Sequence, residues 1–126
     1  MIDSVNITIW GREFVLPIEY NCYDGEVVLE EQVEALEAFL VHKEWIEKAK
    51  GCVEDYCRED VADDESNNKK NNIFSYVKPE CIFIKHESHK PRVALMCKYR
   101  YDIEHGLAVV FSSDGKATVG MQDIIL

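Results

Sequence analysis

Apolar residues in this chain recur at one period, then another, then the first again. That double change limits the folds open to it. Val5, Ile7 and Ile9, then Phe14, Leu16, Ile18 and Tyr20, alternate with polar neighbours. A period of two sends successive side chains to opposite faces and marks half-buried strands. From Leu29 the spacing becomes three and four, through Val33, Leu36, Phe39, Leu40, Ile46, Ala49, Val53 and Tyr56. That is the apolar stripe of an amphipathic helix. Four strand-like runs follow: "ECIFIKH" (80–86), "RVALMCKYRY" (92–101), "GLAVVFS" (106–112) and "KATVG" (116–120). Strands, helices and strands in that order predict an α+β domain.

The punctuation between these runs sharpens the prediction. Gly11-Arg12, with glycine first, suits a type II′ hairpin turn. Pro17 lacks an N–H and demotes part of the second run to an edge or a bulge. "NCYDGE" reads as a turn, and Val27 and Val28 suggest the end of a short extra strand. Gly51 is expected to divide the helical stretch into a long helix and a shorter one over about 52–62. The run "DDESNNKKNN" predicts a polar, mobile loop over 63–72 with no core residues. Asp114-Gly115 is a hairpin signal, and "SHKP" (88–91) and "DIEH" (102–105) are short connections. Connections of two to five residues join antiparallel neighbours. The expected architecture is therefore an antiparallel meander of about six strands. One long acidic helix and a shorter helix pack on one face, all within one domain of 126 residues.

Charge is concentrated rather than spread. Between Glu26 and Glu65 stand fourteen acids against Lys43, Lys48, Lys50 and Arg58, a net −10, and the remaining residues are neutral. Such a field repels nucleic acid and anionic membrane and attracts basic partners. No run approaches the ~20 apolar residues that span a bilayer, and the opening "MIDSVNITIWGREF" lacks the basic and apolar regions of a signal peptide. Five cysteines without C-x-x-C spacing read as reduced packing residues of a cytoplasmic protein.

Motifs that carry chemistry are sparse. There is no glycine-rich phosphate loop and no G-x-S-x-G elbow. Cys52 and Cys57 diverge by roughly 140° on a helix, which makes them poor joint ligands. His86 and His89 point to opposite faces if they begin in a strand, and His42 reads as a boundary residue. "DDESNN" lacks the spacing of a calcium loop. The sequence predicts no metal and no cofactor. The acidic helix stands out more. Glu44–Lys48 and Glu54–Arg58 are opposite-charge pairs at i,i+4. Glu30–Glu34, Asp55–Glu59 and Glu34–Glu37 are like-charge pairs, each costing a few tenths of a kcal/mol. Two readings stand: an ordinary solvated helix face, or a stretch that tolerates these pairs because it holds its charge for a basic partner. The candidate surface comprises Glu30, Glu34, Glu37, Glu44, Glu54, Asp55, Glu59 and Asp60, with Trp45 or Tyr56 as an aromatic anchor.

One further cluster is "YDIEHGLAVVF" (101–111), with Asp102, Glu104 and His105 within four residues and Gly106 after them. It reads as a strand end, a four-residue connection and a buried strand. Leu107, Val109 and Phe111 share one side, and Asp102 or Glu104 caps turn amides beside His105. The alternative reading is a small metal-dependent or acid–base hydrolase that uses Asp102, Glu104 and His105. This stretch, followed by "VGMQDIIL", resembles the C-terminal signature of an uncharacterised family of small acidic bacterial α+β domains. Those domains occur near polymorphic-toxin and immunity genes. "EEQVEALEAFL" resembles the family's glutamine-anchored helix. Tyr101, Asp102, Glu104, His105 and Gly106 carry the resemblance, together with Gly120, Gln122 and Asp123. It implies a fold and no established activity. The functional expectation is a non-enzymatic binding protein, an immunity-type inhibitor that offers its acidic helical face to a basic toxin such as a nuclease.

Overall fold

The computed structural model describes residues 1–126. Six strands form one sheet in sequence order: β1 (Ser4–Ile9), β2 (Arg12–Tyr20), β3 (Val77–Ile84), β4 (Val93–Tyr99), β5 (Leu107–Phe111) and β6 (Ala117–Gly120). Two helices, α1 (Glu30–Val41) and α2 (Glu44–Asp63), lie between β2 and β3. The alternating residues Ile9, Leu16, Ile82, Ile84, Leu95, Leu107, Val109 and Phe111 form one core with Leu36 and Phe39 of α1 and Ile46, Ala49, Val53 and Cys57 of α2. Both helices therefore cover the same sheet face.

The strict meander is corrected at one joint. β2 pairs β3 in parallel, with Ile18, Glu19 and Tyr20 opposite Ile82, Phe83 and Ile84, while every other pair is antiparallel. The long connection carrying the two helices leaves from the Tyr20 end of β2 and brings the chain back to the opposite end of the sheet at Val77, so β3 runs parallel to β2. Pro17 sits where pairing with β3 has not yet begun, so its missing N–H removes no ladder bond on that side.

The helical break is corrected too. Gly51 lies inside the twenty-residue α2, and the chain folds instead at His42–Lys43, after a twelve-residue α1. The expected order of lengths is thus reversed. A straight helix over 30–63 would run about 50 Å, about twice the width of six strands at ~4.8 Å spacing. Folding at 42–43 keeps both apolar stripes on the sheet. Packing of Ala49 and Val53 on either side of Gly51 outweighs the cost of about 1 kcal/mol for a helical glycine.

Smaller corrections have local causes. The β1–β2 turn is Trp10-Gly11, not Gly11-Arg12, and both residues have positive φ (48° and 85°), so the turn is type I′. A tryptophan there is strained. It is held by its own N–H on the Glu47 carboxylate (3.1 Å) and by its indole N–H on the Ile46 carbonyl (2.9 Å). Val27 and Val28 form no strand, and Val27 is exposed. β3 begins three residues before the expected Glu80, with a register shift between Pro79 and Cys81. Within the polar 63–72 stretch Asn67 is buried. Its amide donates to the Ser75 hydroxyl (3.0 Å) and its oxygen accepts the Lys69 N–H (2.9 Å).

The sheet's other face carries a second core of Phe83, Ala94, Met96, Ala108 and Val110, plugged by Ile125 from the C-terminal turn. Burial on both faces explains why β4 and β5 read as continuous apolar runs.

Candidate functional site

Gln32 orients the acidic surface of α1. Its side chain is fully buried. Its amide donates to the carbonyls of Asn21 (3.0 Å) and Ile84 (3.1 Å), and its oxygen accepts the Leu29 N–H (2.9 Å). One side chain thereby satisfies an orphan donor at the helix start and ties α1 to the end of β3. With Gln32, Leu36 and Phe39 turned inward, Glu30, Glu34 and Glu37 stand exposed on the opposite side, and Glu31 is half-buried. α1 contains four glutamates and no base, and none of the four belongs to an ion pair. Beside Glu31 and Glu34 lies a cleft of about 220 Å³ floored by Ala35, Trp45, Pro91 and Phe111, with Lys90 also in its lining.

The predicted surface is therefore divided between two helices. On α2, Glu44, Glu54, Asp55 and Glu59 are exposed. Arg58 pairs with Asp55 rather than with Glu54, and Glu44–Lys48 forms no ion pair. Trp45 is half-buried. Its ring stacks on His42 (centroids 4.5 Å apart) and presses on Gly115, where a Cβ would stand 2.3 Å from the indole nitrogen. Much of that ring is spent on internal packing, whereas Tyr56 is 41% exposed.

Asp60 is also engaged internally. It accepts the Tyr99 hydroxyl at 2.6 Å, and Asp64 accepts the Tyr101 hydroxyl and the Arg100 Nε–H, each at 2.9 Å. Carboxylates near a helix C-terminus oppose the helix dipole. Three consecutive donors from "YRY" (99–101) offset that conflict and fasten the end of α2 to the end of β4. Hydrogen bonds from Ser66, then from Tyr101 and Arg100, hold the Asp64 carboxyl down at about 2. Burial and the bond to Asp60 push the Tyr99 phenol well above its ordinary value. Sequence reasoning missed this clamp. Its one local signal was carboxylates crowding the negative end of a helix.

Asp102, Glu104, His105 and Gly106 form a closed turn. The Asp102 carboxylate accepts the His105 N–H (3.2 Å) and meets His105 Nδ1 at 3.0 Å, and the Gly106 N–H donates to the Asp102 carbonyl (2.9 Å). The hydrogen bond to Asp102 raises the His105 pKa above its ordinary value. Glu104 is exposed and forms no hydrogen bond through its side chain. Gly106 has φ +62°, and a Cβ there would stand 2.7 Å from Gln122 Nε2 and 2.9 Å from the Cys97 carbonyl oxygen. Gln122 donates its backbone N–H to the His105 carbonyl (3.1 Å) and its side chain to the Cys97 carbonyl (3.0 Å). Residues 101–106 and 120–125 are thus one packed unit.

No group of three or more His, Cys, Asp or Glu side chains is placed to hold a metal ion. Both ring nitrogens of His86 face protein acceptors, the Glu26 carboxylate at 3.2 Å and the Val27 carbonyl at 3.0 Å. His89 is exposed in the 88–91 loop. The five cysteines are free; Cys57 and Cys97 are buried and Cys52 is exposed.

These features define a class: an α+β domain with a mixed six-stranded sheet, one face under two acid-rich helices and the other plugged by the C-terminal turn. The chain belongs to the family described as Domain of unknown function (DUF6985), which matches it over residues 2–126. No curated protein and no solved structure matches the chain. No helix is long and apolar enough to cross a membrane.

Proposed function

We propose that this protein is a non-enzymatic binding protein whose acidic helical layer docks on a basic protein partner. In the form suggested by the resemblance, it is a cytoplasmic immunity-type inhibitor, and its partner is a basic toxin domain such as a nuclease. The observation that carries the reading is the outer face of α1, where Glu30, Glu34 and Glu37 stand exposed with no base in the helix and no ion pair. Unrelieved like charges at i,i+3 and i,i+4 weaken a helix, so the face is better explained by what it attracts. The neighbouring cleft has an apolar floor, and its lining carries Glu31 and Glu34 against the single base Lys90, so it keeps a net negative charge for a basic side chain whose stem lies on the floor. Exposed Tyr56 adds a second contact on α2.

The test is association kinetics with a partner captured from the native organism and identified by mass spectrometry. Reversing Glu30, Glu34 and Glu37 to lysine should slow association by roughly ten-fold or more at low salt. The difference should shrink towards 0.5–1 M salt, where screening lengths fall to about 3–4 Å. Association that is indifferent to the triple reversal refutes the electrostatic reading.

A second reading rests on the Asp102–His105 contact, which holds an imidazole as general-base sites do. Its test is a hydrolase screen of the purified protein. Turnover that disappears with His105→Ala, in protein that remains folded, would favour it.

A further inference from the structure

The loop between β3 and β4 carries a lysine where the backbone suits a glycine. Lys90 has a left-handed φ of +48°, one of two residues other than glycine with a positive φ. That conformation is costly for a residue with a Cβ. The residue before a proline is also driven towards extended backbone, and Pro91 follows. Glycine would take the position at least cost. The surroundings hold the strain in place. Pro91 is buried in the floor of the cleft beside α1. The Arg92 N–H and guanidinium bond the Glu87 carboxylate in three contacts of 3.0–3.1 Å, and the Arg92 carbonyl accepts the Lys85 N–H at 3.0 Å. The lysine side chain itself lines that cleft, where it is the one base opposite Glu31 and Glu34. It is exposed and forms no ion pair, so its ammonium stays near the two carboxylates without being fixed to either.

We propose that Lys90 is an internal stand-in for an arginine of the basic partner: it supplies the cleft's counter-charge in the free protein and swings out when the partner's guanidinium enters. This gate presupposes the basic partner proposed above and adds how its entry is regulated. The cleft, about 220 Å³, holds roughly seven waters at ~30 Å³ each, room for one long side chain. Two cations in that space repel each other, so entry requires the ammonium to leave. It leaves readily, because it has no ion pair to break and its stem is exposed. Glu31 and Glu34 are i,i+3 neighbours on α1, about 5–6 Å apart at Cβ, a spacing that a guanidinium fork bridges. A cation that reaches only one carboxylate gains little by replacing Lys90. The lysine therefore sets a threshold against unspecific basic surfaces.

The test is calorimetric titration of the full chain with an acetylated tetra-arginine amide. At 0.1 M salt the screening length is ~10 Å, so charges close to the cleft dominate. Lys90→Gln should bind the peptide about three-fold tighter than wild type, or more. Lys98→Gln removes a lysine from the sheet's other face, where it pairs with Glu80, and should bind as wild type does. In a Glu31→Gln/Glu34→Gln background the peptide should bind more weakly, and Lys90→Gln should then add no gain. Lys90→Gly should bind as tightly as Lys90→Gln and unfold at a urea concentration no lower than wild type. A Lys90→Gln gain no larger than that of Lys98→Gln overturns the proposal, and so does a gain that persists without the two carboxylates. A Lys90→Gly variant less stable than wild type makes the lysine a packing element of the loop, which also overturns it. Failure of the Lys90 variants alone leaves the acidic docking face standing, whereas peptide binding indifferent to Glu31 and Glu34 counts against the cleft in both.

Discussion

Replacing Gln32 with leucine isolates the contact that sets the roll of α1. The side chain makes three hydrogen bonds, two donated to the Asn21 and Ile84 carbonyls and one accepted from the Leu29 N–H. Leucine fills a similar volume and makes none of them. At about 1 kcal/mol per lost bond the first estimate is about 3 kcal/mol. Two corrections oppose each other. The Ile84 carbonyl keeps the Asn21 N–H (2.9 Å), which trims the loss, while the Leu29 N–H loses its side-chain acceptor, which adds desolvation cost. The expected destabilisation is about 2–4 kcal/mol, a large part of the ~5–15 kcal/mol that holds a domain together. Urea denaturation should show it as a lower midpoint at unchanged slope, and hydrogen exchange should accelerate in α1 before β4 and β5. Gln32→Glu keeps the acceptor but sets a carboxylate against two carbonyl oxygens. It should cost more at neutral pH and recover partly on acidification, when a protonated carboxyl can donate. A leucine variant within about 0.5 kcal/mol of wild type, below the cost of even one ordinary hydrogen bond, would refute the reasoning.

Other expected outcomes follow from single contacts. Gly106→Ala, at positive φ and against Gln122 and the Cys97 carbonyl, should lower stability by about 2 kcal/mol or more. Gly51→Ala, with open space around the new Cβ, should raise it by about 0.5–1 kcal/mol. Both are read by chemical denaturation. The Asp64 carboxyl is held at about 2, below its ordinary value. Its contribution is complete above pH ~4 and is lost as pH falls towards 2. Asp64→Asn should therefore flatten the denaturation midpoint across that window, and an unchanged acid limb would contradict the clamp. Burial pushes the Cys57 thiol up to about 11 and raises Cys97 as well. A thiol-reactive dye should therefore label exposed Cys52 in the native protein and reach Cys57 and Cys97 only on unfolding. Native labelling of either buried thiol would count against that core.

How much of this was legible before the structure depends on the range of the interaction concerned. The alternation Val5–Ile7–Ile9 and the runs at 92–101 and 106–112 placed strands to within a few residues, because a strand's pattern is written in its own side chains. Leu107, Val109 and Phe111 do share the helix-facing core. The acids of 26–65 were visible as a block, and their exposure on α1 follows from the same stripe that buries Leu36 and Phe39. The allocation of individual acids was not visible. Asp60 and Asp64 end on Tyr99, Arg100 and Tyr101, some 36–39 positions away. No spacing rule within one helix reveals a donor on a distant strand.

The sequence by itself determined the kinds of element, their order and the place of the charge, since periods of 2 and 3.6 and the count of carboxylates are local properties. The tertiary structure alone decided three other things. The helix folds at 42–43 because a straight one would overrun a sheet six strands wide. β3 runs parallel to β2 because a helical crossover carries the chain to the opposite end of the sheet before it pairs again. Gln32 is buried because backbone groups from three separate segments, the Asn21 and Ile84 carbonyls and the Leu29 N–H, meet at one point, and a side chain with both donors and an acceptor bonds them all.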